Sequence, residues 1–193
     1  MSQAPSKRSA TIILGMIALL WLLVFAAGVV LSPSQQLPFD LGAQVLLRLG
    51  ALRVPIESPG DLARLLTCWL VHINLWHLLG NLAVLVVIAW RWPHRQSVLF
   101  PLIVGVLLTG VASLWLSSSR SMVSCGGSGV LLALLGSLLR QSETWQARVT
   151  PVLLATLLLG GGLWSSGDWA AHVGGLLAGG VAALLVQRRK TTG

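Results

Sequence analysis

Six long apolar runs dominate this chain of 193 residues and constrain its fold more than any other feature. A run of about 20 apolar residues can cross the ~30 Å hydrocarbon core of a bilayer as a helix. Lipid offers no hydrogen-bond partners, so the backbone must satisfy its own polar groups there, which favours helices. The runs are Thr11–Leu31, Leu65–Trp90, Val98–Leu116, Gly126–Leu139, Val149–Trp164 and Trp169–Val186. The sequence therefore predicts an all-α membrane protein with six transmembrane helices.

Composition supports this class of protein and excludes others. The chain is 55% hydrophobic and only 9% charged, whereas soluble domains contain roughly a quarter charged residues. The net charge of +8 comes from short Lys/Arg clusters between the apolar runs. A nucleic-acid partner requires a continuous basic surface along its phosphate backbone, and these clusters do not form one. We therefore expect a lipid bilayer, and no nucleic acid, around a single membrane domain at residues 11–186.

The distribution of Lys and Arg predicts the orientation of the chain. Basic residues accumulate in cytoplasmic loops. With both termini cytoplasmic, nine basic residues lie inside and four outside. This places a cytoplasmic tail at 1–10 and a basic cytoplasmic tail at 187–193. A cleaved signal peptide at Thr11–Leu31 is the alternative, but the run is long for one and lacks a convincing small-x-small cleavage site.

Six polar residues interrupt the apolar runs at a similar predicted depth. They are His72, Asn74, His77, Asn81, Ser128 and His172. Given the predicted orientation, all six fall in the outer half of the membrane. Polar groups are costly in a bilayer, and their presence there indicates a functional site.

The spacing of these residues suggests acyl-transfer chemistry. His77 and Asn81 are four residues apart, so they share a helix face and could donate hydrogen bonds to an oxyanion. His72 lies five residues before His77, about 140° away around an ideal helix, and should have a different role. Ser128 follows Gly126 and Gly127 at a helix start, where backbone N–H groups are unpaired. A serine needs a neighbouring base to become a nucleophile, and His172 is the candidate.

Small residues explain how Ser128 and His172 could meet. Two four-residue-spaced faces begin beside them, and such faces let membrane helices approach closely. They consist of Gly129, Ala133 and Ser137 on the fourth run and of Ala171, Gly175 and Gly179 on the sixth. Asp168 lies four residues before His172, where we predict that it caps the sixth helix. We therefore expect a Ser–His dyad without a third member.

Metals and cofactors are not expected. The two cysteines, Cys68 and Cys125, lack zinc-site spacing, and we predict two free thiols, with a disulfide between them as the alternative. A competing function is heme binding through His72, His77 or His172 as axial ligands. Close glycine packing between the helices disfavours a cavity wide enough for a porphyrin.

Three motifs resemble those of the rhomboid family of intramembrane serine proteases. His72–Asn81 matches the His-x4-His-x3-Asn pattern, Gly126–Gly129 the Gly-x-Ser-Gly motif, and Ala171–Gly175 the Ala-His-x-x-Gly motif. The resemblance extends from about Asp61 to Leu185.

The resemblance implies a set of roles. Ser128 would be the nucleophile and His172 the base. His77, Asn81 and the N–H groups of Ser128 and Gly127 would form the oxyanion hole. The site would be supported by His72, Gly126, Gly129 and Gly175.

The resemblance also implies a fold and a substrate class. It implies six helices, a water-filled cavity facing outside, and cleavage of transmembrane proteins after small residues. A bacterial plasma membrane is the expected location. The compact chain also resembles the rhombosortases, a branch that processes carboxy-terminal sorting tails. An inactive relative that binds transmembrane segments without cutting them is the alternative function.

The chain departs from the family pattern at two positions. Family members often carry Trp-Arg before the second helix, where this chain has Ala63–Arg64, so we expect altered anchoring of the first loop. An aromatic residue commonly stacks on the base from the position that Leu132 occupies here. We therefore expect His172 to be less firmly oriented.

Overall fold

A computed structural model describes residues 7–32, 40–92, 97–116, 122–164 and 168–191. Within these ranges the chain forms eight α-helices and one short two-stranded sheet. The elements, in chain order, are α1 (Lys7–Leu31), α2 (Ala43–Arg48), β1 (Leu52–Val54), α3 (Pro59–Ala63), α4 (Leu75–Arg91), α5 (Leu99–Leu116), β2 (Met122–Ser124), α6 (Ser128–Gln141), α7 (Trp145–Trp164) and α8 (Trp169–Thr191).

Each of the six apolar runs contains one long helix, so the predicted all-α membrane bundle is confirmed. Two of these helices meet the length and hydropathy expected of a membrane span, at Ser9–Leu31 and Leu99–Leu116. Helix α1 begins within the predicted 1–10 tail, and α8 continues into the predicted 187–193 tail. Residues 1–6, 192 and 193 of those tails lie outside the described residues.

The prediction of one continuous helix over Leu65–Trp90 is wrong at its start. Two 3-10 turns, Arg64–Leu66 and Cys68–Leu70, precede an extended segment, and α4 begins only at Leu75. Asn74 caps α4, because its side-chain oxygen accepts a hydrogen bond from the N–H of His77 at 2.8 Å. His72 therefore lies before the helix, and its predicted 140° offset from His77 around α4 does not apply.

Helix α6 forms the centre of the bundle. Every residue from Ser128 to Leu138 is buried, as expected of a helix that neighbours cover on all sides. The outer helices instead expose large apolar side chains such as Met16, Leu157 and Leu177. These apolar outer faces are suited to lipid contact.

Small residues bring α8 against α6. A methyl group added at Gly175 would overlap the carbonyl oxygen of Gly129, and one added at Gly179 would overlap that of Ala133. The predicted approach of the two small-residue faces is thus present. Helix α5 packs on the same pair, since a Cβ at Gly105 would lie 2.7 Å from the Cβ of Ala133.

The segment before α4 is tied to the bundle by Arg64. Its guanidinium donates to the carbonyl oxygens of Leu47 and Ala51 and pairs with Asp61 at 2.9 Å. Arg64 therefore anchors the first loop through these hydrogen bonds and this ion pair, although the residue before it is Ala63. Strand β1 adds a second link by pairing antiparallel with β2, so that Arg53 lies opposite Val123.

Candidate active site

Ser128 lies at the first position of α6, after a turn that requires glycine. Gly126 has φ +119°, a conformation that L side chains rarely adopt. A Cβ there would also lie 2.9 Å from Nε2 of His77, and a Cβ on Gly127 would overlap the Trp21 ring. The two glycines thus let the chain enter the bundle between His77 and Trp21, which leaves the Ser128 side chain buried.

His172 meets Ser128 from the neighbouring helix. The Ser128 Oγ and the His172 Nε2 are 2.6 Å apart, within hydrogen-bond distance. Both side chains are buried. The other ring nitrogen, Nδ1, is buried and has no hydrogen-bond partner among the described residues. A proton on Nδ1 would leave Nε2 free to accept the serine proton, as a general base must.

His77 and Asn81 lie on the same face of α4, beside this pair. The Asn81 side-chain amide donates one hydrogen bond to the carbonyl oxygen of His77 at 2.9 Å. An amide NH2 group has two N–H donors, so one remains for a second acceptor. The side chain is buried, where a donor is most effective at stabilising a developing charge.

His72 packs behind His77. Its ring lies edge-on to His77, with centroids 5.2 Å apart, and edge-on to Trp21 at 4.9 Å. The side chain is fully buried. His72 thus supports the His77 ring by packing against it and is not part of the cavity wall.

A cavity of about 640 Å³ joins the candidate residues. Its lining includes His77, Asn81, Gly126, Ser128 and His172. Gly127 lies outside that lining, so it would contribute only its backbone N–H at the start of α6. Each water in the liquid occupies roughly 30 Å³, so a volume of this size suits both a peptide segment and hydrolytic water.

Asp168 has contacts beyond the predicted cap. Its Oδ1 accepts the N–H of Ala171 at 3.0 Å, which places it at the start of α8 as expected. Its Oδ2 accepts hydrogen bonds from the hydroxyls of Ser113 on α5 and Ser124 on β2. Ser113, Ser124 and Thr109, which lines the cavity with Ser124, were not predicted as site residues. Thr109 and Ser113 share a helix face at i and i+4 within an apolar run, and this pattern could have revealed them.

Cys68 and Cys125 are free thiols, as predicted, and both line the cavity. In the described part of the chain, no cluster of three or more His, Cys, Asp or Glu side chains could hold a metal ion. The edge-on packing of His72 and His77 leaves no space for a porphyrin between these two rings.

The fold and site define a membrane-embedded helical bundle with a buried Ser–His pair at the wall of a cavity. A family model described as the Rhomboid domain matches residues 59–189, which is more than half of the chain. The chain therefore belongs to the rhomboid family and is an integral membrane protein. Membership supports an intramembrane-protease type of function.

Three plant proteins from Arabidopsis thaliana are similar over 69% of this chain. RHOMBOID-like protein 5 is 32% identical over 147 residues, and RHOMBOID-like protein 4 is 32% identical over 145. RHOMBOID-like protein 1 is 29% identical over 147 residues. The aligned region spans 47%, 36% and 37% of these relatives, respectively, which is less than half of each.

Proposed function

We propose that this protein is an intramembrane serine endopeptidase that cleaves transmembrane protein substrates through a Ser128–His172 dyad. The observation that carries the proposal is the 2.6 Å contact between Ser128 Oγ and His172 Nε2 at a cavity wall. A buried serine and histidine from separate helices need no such contact for packing alone. Acyl transfer does need it, because an unassisted serine hydroxyl is a weak nucleophile.

The reaction follows from this arrangement. His172 Nε2 accepts the Ser128 proton as Oγ bonds to the carbonyl carbon of the scissile peptide. The oxyanion is held by His77, the Asn81 amide and the N–H groups of Ser128 and Gly127. His172 then returns the proton to the leaving amine, and the peptide C–N bond breaks. Water, deprotonated by His172, hydrolyses the acyl-enzyme and restores the Ser128 hydroxyl.

Cleavage of a membrane-embedded reporter tests this proposal. The purified full chain is reconstituted in liposomes with a single-span substrate that carries small residues near one end of its span. We expect cleavage by the wild type and none above background by Ser128→Ala or His172→Ala, with all three proteins folded. Ser137→Ala is the matched control, since it removes another buried hydroxyl of α6, about two and a half turns from Ser128 on the opposite side of the helix, and it should retain activity.

The cleavage assay, together with an absorption spectrum of the purified protein, distinguishes the proposed protease from its alternatives. Full activity in Ser128→Ala or His172→Ala would rule out the dyad. Binding of the reporter by the wild type without cleavage would favour an inactive rhomboid-like binder. A Soret band in the purified protein would favour the heme-binding alternative.

The orientation of the chain is part of the proposal. We infer that both termini are cytoplasmic and that the active site faces the outer side of a bacterial plasma membrane, from the Lys/Arg distribution. A fluorescent protein that folds only in the cytoplasm, fused to the carboxyl terminus, should be bright in intact bacterial cells. A fusion that is expressed normally but is not fluorescent would indicate the opposite orientation.

A further inference from the structure

The Asp168 carboxylate accepts hydrogen bonds from three elements of the fold, α8, α5 and β2. Its Oδ1 accepts the backbone N–H of Ala171 in α8 at 3.0 Å. Its Oδ2 accepts the Ser124 hydroxyl at 2.5 Å and also the hydroxyl of Ser113. Ser113 and Ser124 are both buried. Hydrogen bonds to an ionised carboxylate are roughly twice as strong as those between neutral groups, so this junction is well suited to fix geometry.

The same carboxylate connects the two halves of the dyad. Asp168 lies one helical turn before His172 on α8. Ser124 lies four residues before Ser128, at the end of β2 and just ahead of the glycine turn. Any shift of α8 relative to the β2–α6 segment would therefore change both the Asp168–Ser124 bond and the Ser128–His172 distance.

Apart from the bond to Ser128, the His172 ring has neither a hydrogen bond nor an aromatic ring contact to orient it within the described residues. Its Nδ1 has no hydrogen-bond partner among the described residues. The aromatic contacts in that part of the chain involve Trp21, Trp69, His72 and His77, and none reaches His172. The position of the His172 ring thus depends on where α8 is held.

We propose that Asp168, Ser113 and Ser124 form a positioning cluster, the Asp168 hub, that sets the distance between His172 and Ser128. Asp168 is a positioning residue, because it acts through the placement of α8 and touches no reacting atom. The inference rests on the proposed dyad chemistry, and it goes beyond capping, which would need only one carboxylate oxygen.

The proton count of the hub predicts which substitutions it tolerates. Each serine hydroxyl has one proton, and an ionised carboxylate has about four lone-pair sites, so Asp168 can accept all three bonds. Asparagine can still accept the Ala171 N–H, and its NH2 group can donate to both serine oxygens. Alanine can replace none of these bonds. Asp168→Asn should therefore rescue much of what Asp168→Ala loses.

A fluorophosphonate that labels the active-site serine separates positioning from folding. The labelled fraction at long times reports how much protein is folded, and the rate constant reports the geometry of the dyad. A misplacement of about 1 Å can cost on the order of 10²-fold in rate. We expect Asp168→Ala to lower the labelling rate constant and kcat by about this factor, with KM nearly unchanged. Asp168→Asn should stay within about fivefold of the wild type, since Asn caps helices as well as Asp.

A double variant and a control complete the design. Ser113→Ala with Ser124→Ala keeps the carboxylate and the cap but removes both links, so its rate constant should fall between wild type and Asp168→Ala. Asp61→Asn makes the same charge change at another capping carboxylate, on α3, and should leave the rate constant unchanged.

Several results would overturn the inference. The hub is refuted if Asp168→Ala labels at the wild-type rate, or if only its labelled fraction falls. If Asp168→Ala does not fold, a wild-type rate in the double serine variant refutes it equally. A wild-type protein that neither cleaves the reporter nor becomes labelled at Ser128 would instead contradict the proposed function, so the two failures are distinguishable.

Discussion

Substituting Gly175 by alanine tests the glycine contact that brings α8 to the nucleophile. Gly175 lies one turn beyond His172 and packs on Gly129, the residue after Ser128. An added Cβ would overlap the Gly129 carbonyl oxygen and lie 2.7 Å from its carbonyl carbon. Carbon atoms pack at about 3.5–4.0 Å, so the two helices must separate by roughly 1 Å at this level.

The separation should affect activity more than stability. Overpacking costs typically 1–3 kcal/mol, partly offset by the gain of up to about 1 kcal/mol in helix propensity when alanine replaces glycine. A 1 Å misplacement of reacting groups can cost on the order of 10²-fold in rate. We therefore expect Gly175→Ala to remain folded, with kcat for the liposome reporter reduced by about 10²-fold.

Gly180→Ala is the matched control on the same helix. A Cβ at Gly180 would meet nothing within 4 Å, so the variant should gain helix propensity and keep full activity. Reporter cleavage and thermal unfolding are measured for both variants. Wild-type kcat in Gly175→Ala would refute the argument that this glycine contact sets the dyad distance, and an equal loss in Gly180→Ala would refute its assignment to the helix interface.

Three further predictions concern other parts of the molecule. Asn81→Ala should lower kcat by roughly 10²-fold, the effect of removing one oxyanion donor, and unchanged kcat would remove Asn81 from that role. Burial acts to raise the pKa of Asp61, but hydrogen bonds from Glu57 and Ser58 and the Arg64 charge outweigh it and hold the pKa below its ordinary value. The stability that Asp61 adds is therefore complete above about pH 4 and lost as pH falls through its lowered pKa. Asp61→Asn should therefore unfold at a lower temperature than the wild type at pH 7, and this difference should shrink as the pH is lowered below about 4. Peptide mapping without reductant should recover Cys68 and Cys125 as separate thiols, and a linked peptide would contradict their free state.

The features predictable from the sequence are those with a local or periodic pattern. Apolar runs predicted the long helices because lipid allows the backbone few alternatives. The four-residue spacing of Gly129, Ala133, Gly175 and Gly179 predicted the close approach of α6 and α8. The capping role of Asp168 could be predicted because this residue lies just before an apolar helix.

The features that escaped prediction depend on contacts between distant segments. Strands β1 and β2 have three residues each and pair across some seventy positions, so neither has a detectable alternating pattern. The second oxygen of Asp168 bonds serines on two other elements, which local reasoning cannot reveal. The late start of α4 could have been foreseen, since Asn74 is a strong capping residue three positions before His77.

Mapping the site of fluorophosphonate attachment tests the central claim most directly. Wild-type protein and His172→Ala, each in liposomes, are treated with the probe, digested, and analysed for the modified peptide. The dyad predicts an adduct on Ser128 in the wild type and a loss of labelling of several orders of magnitude in His172→Ala. An adduct on another serine, or labelling of Ser128 that is equally fast without His172, would contradict the claim that an imidazole on α8 activates the hydroxyl at the start of α6.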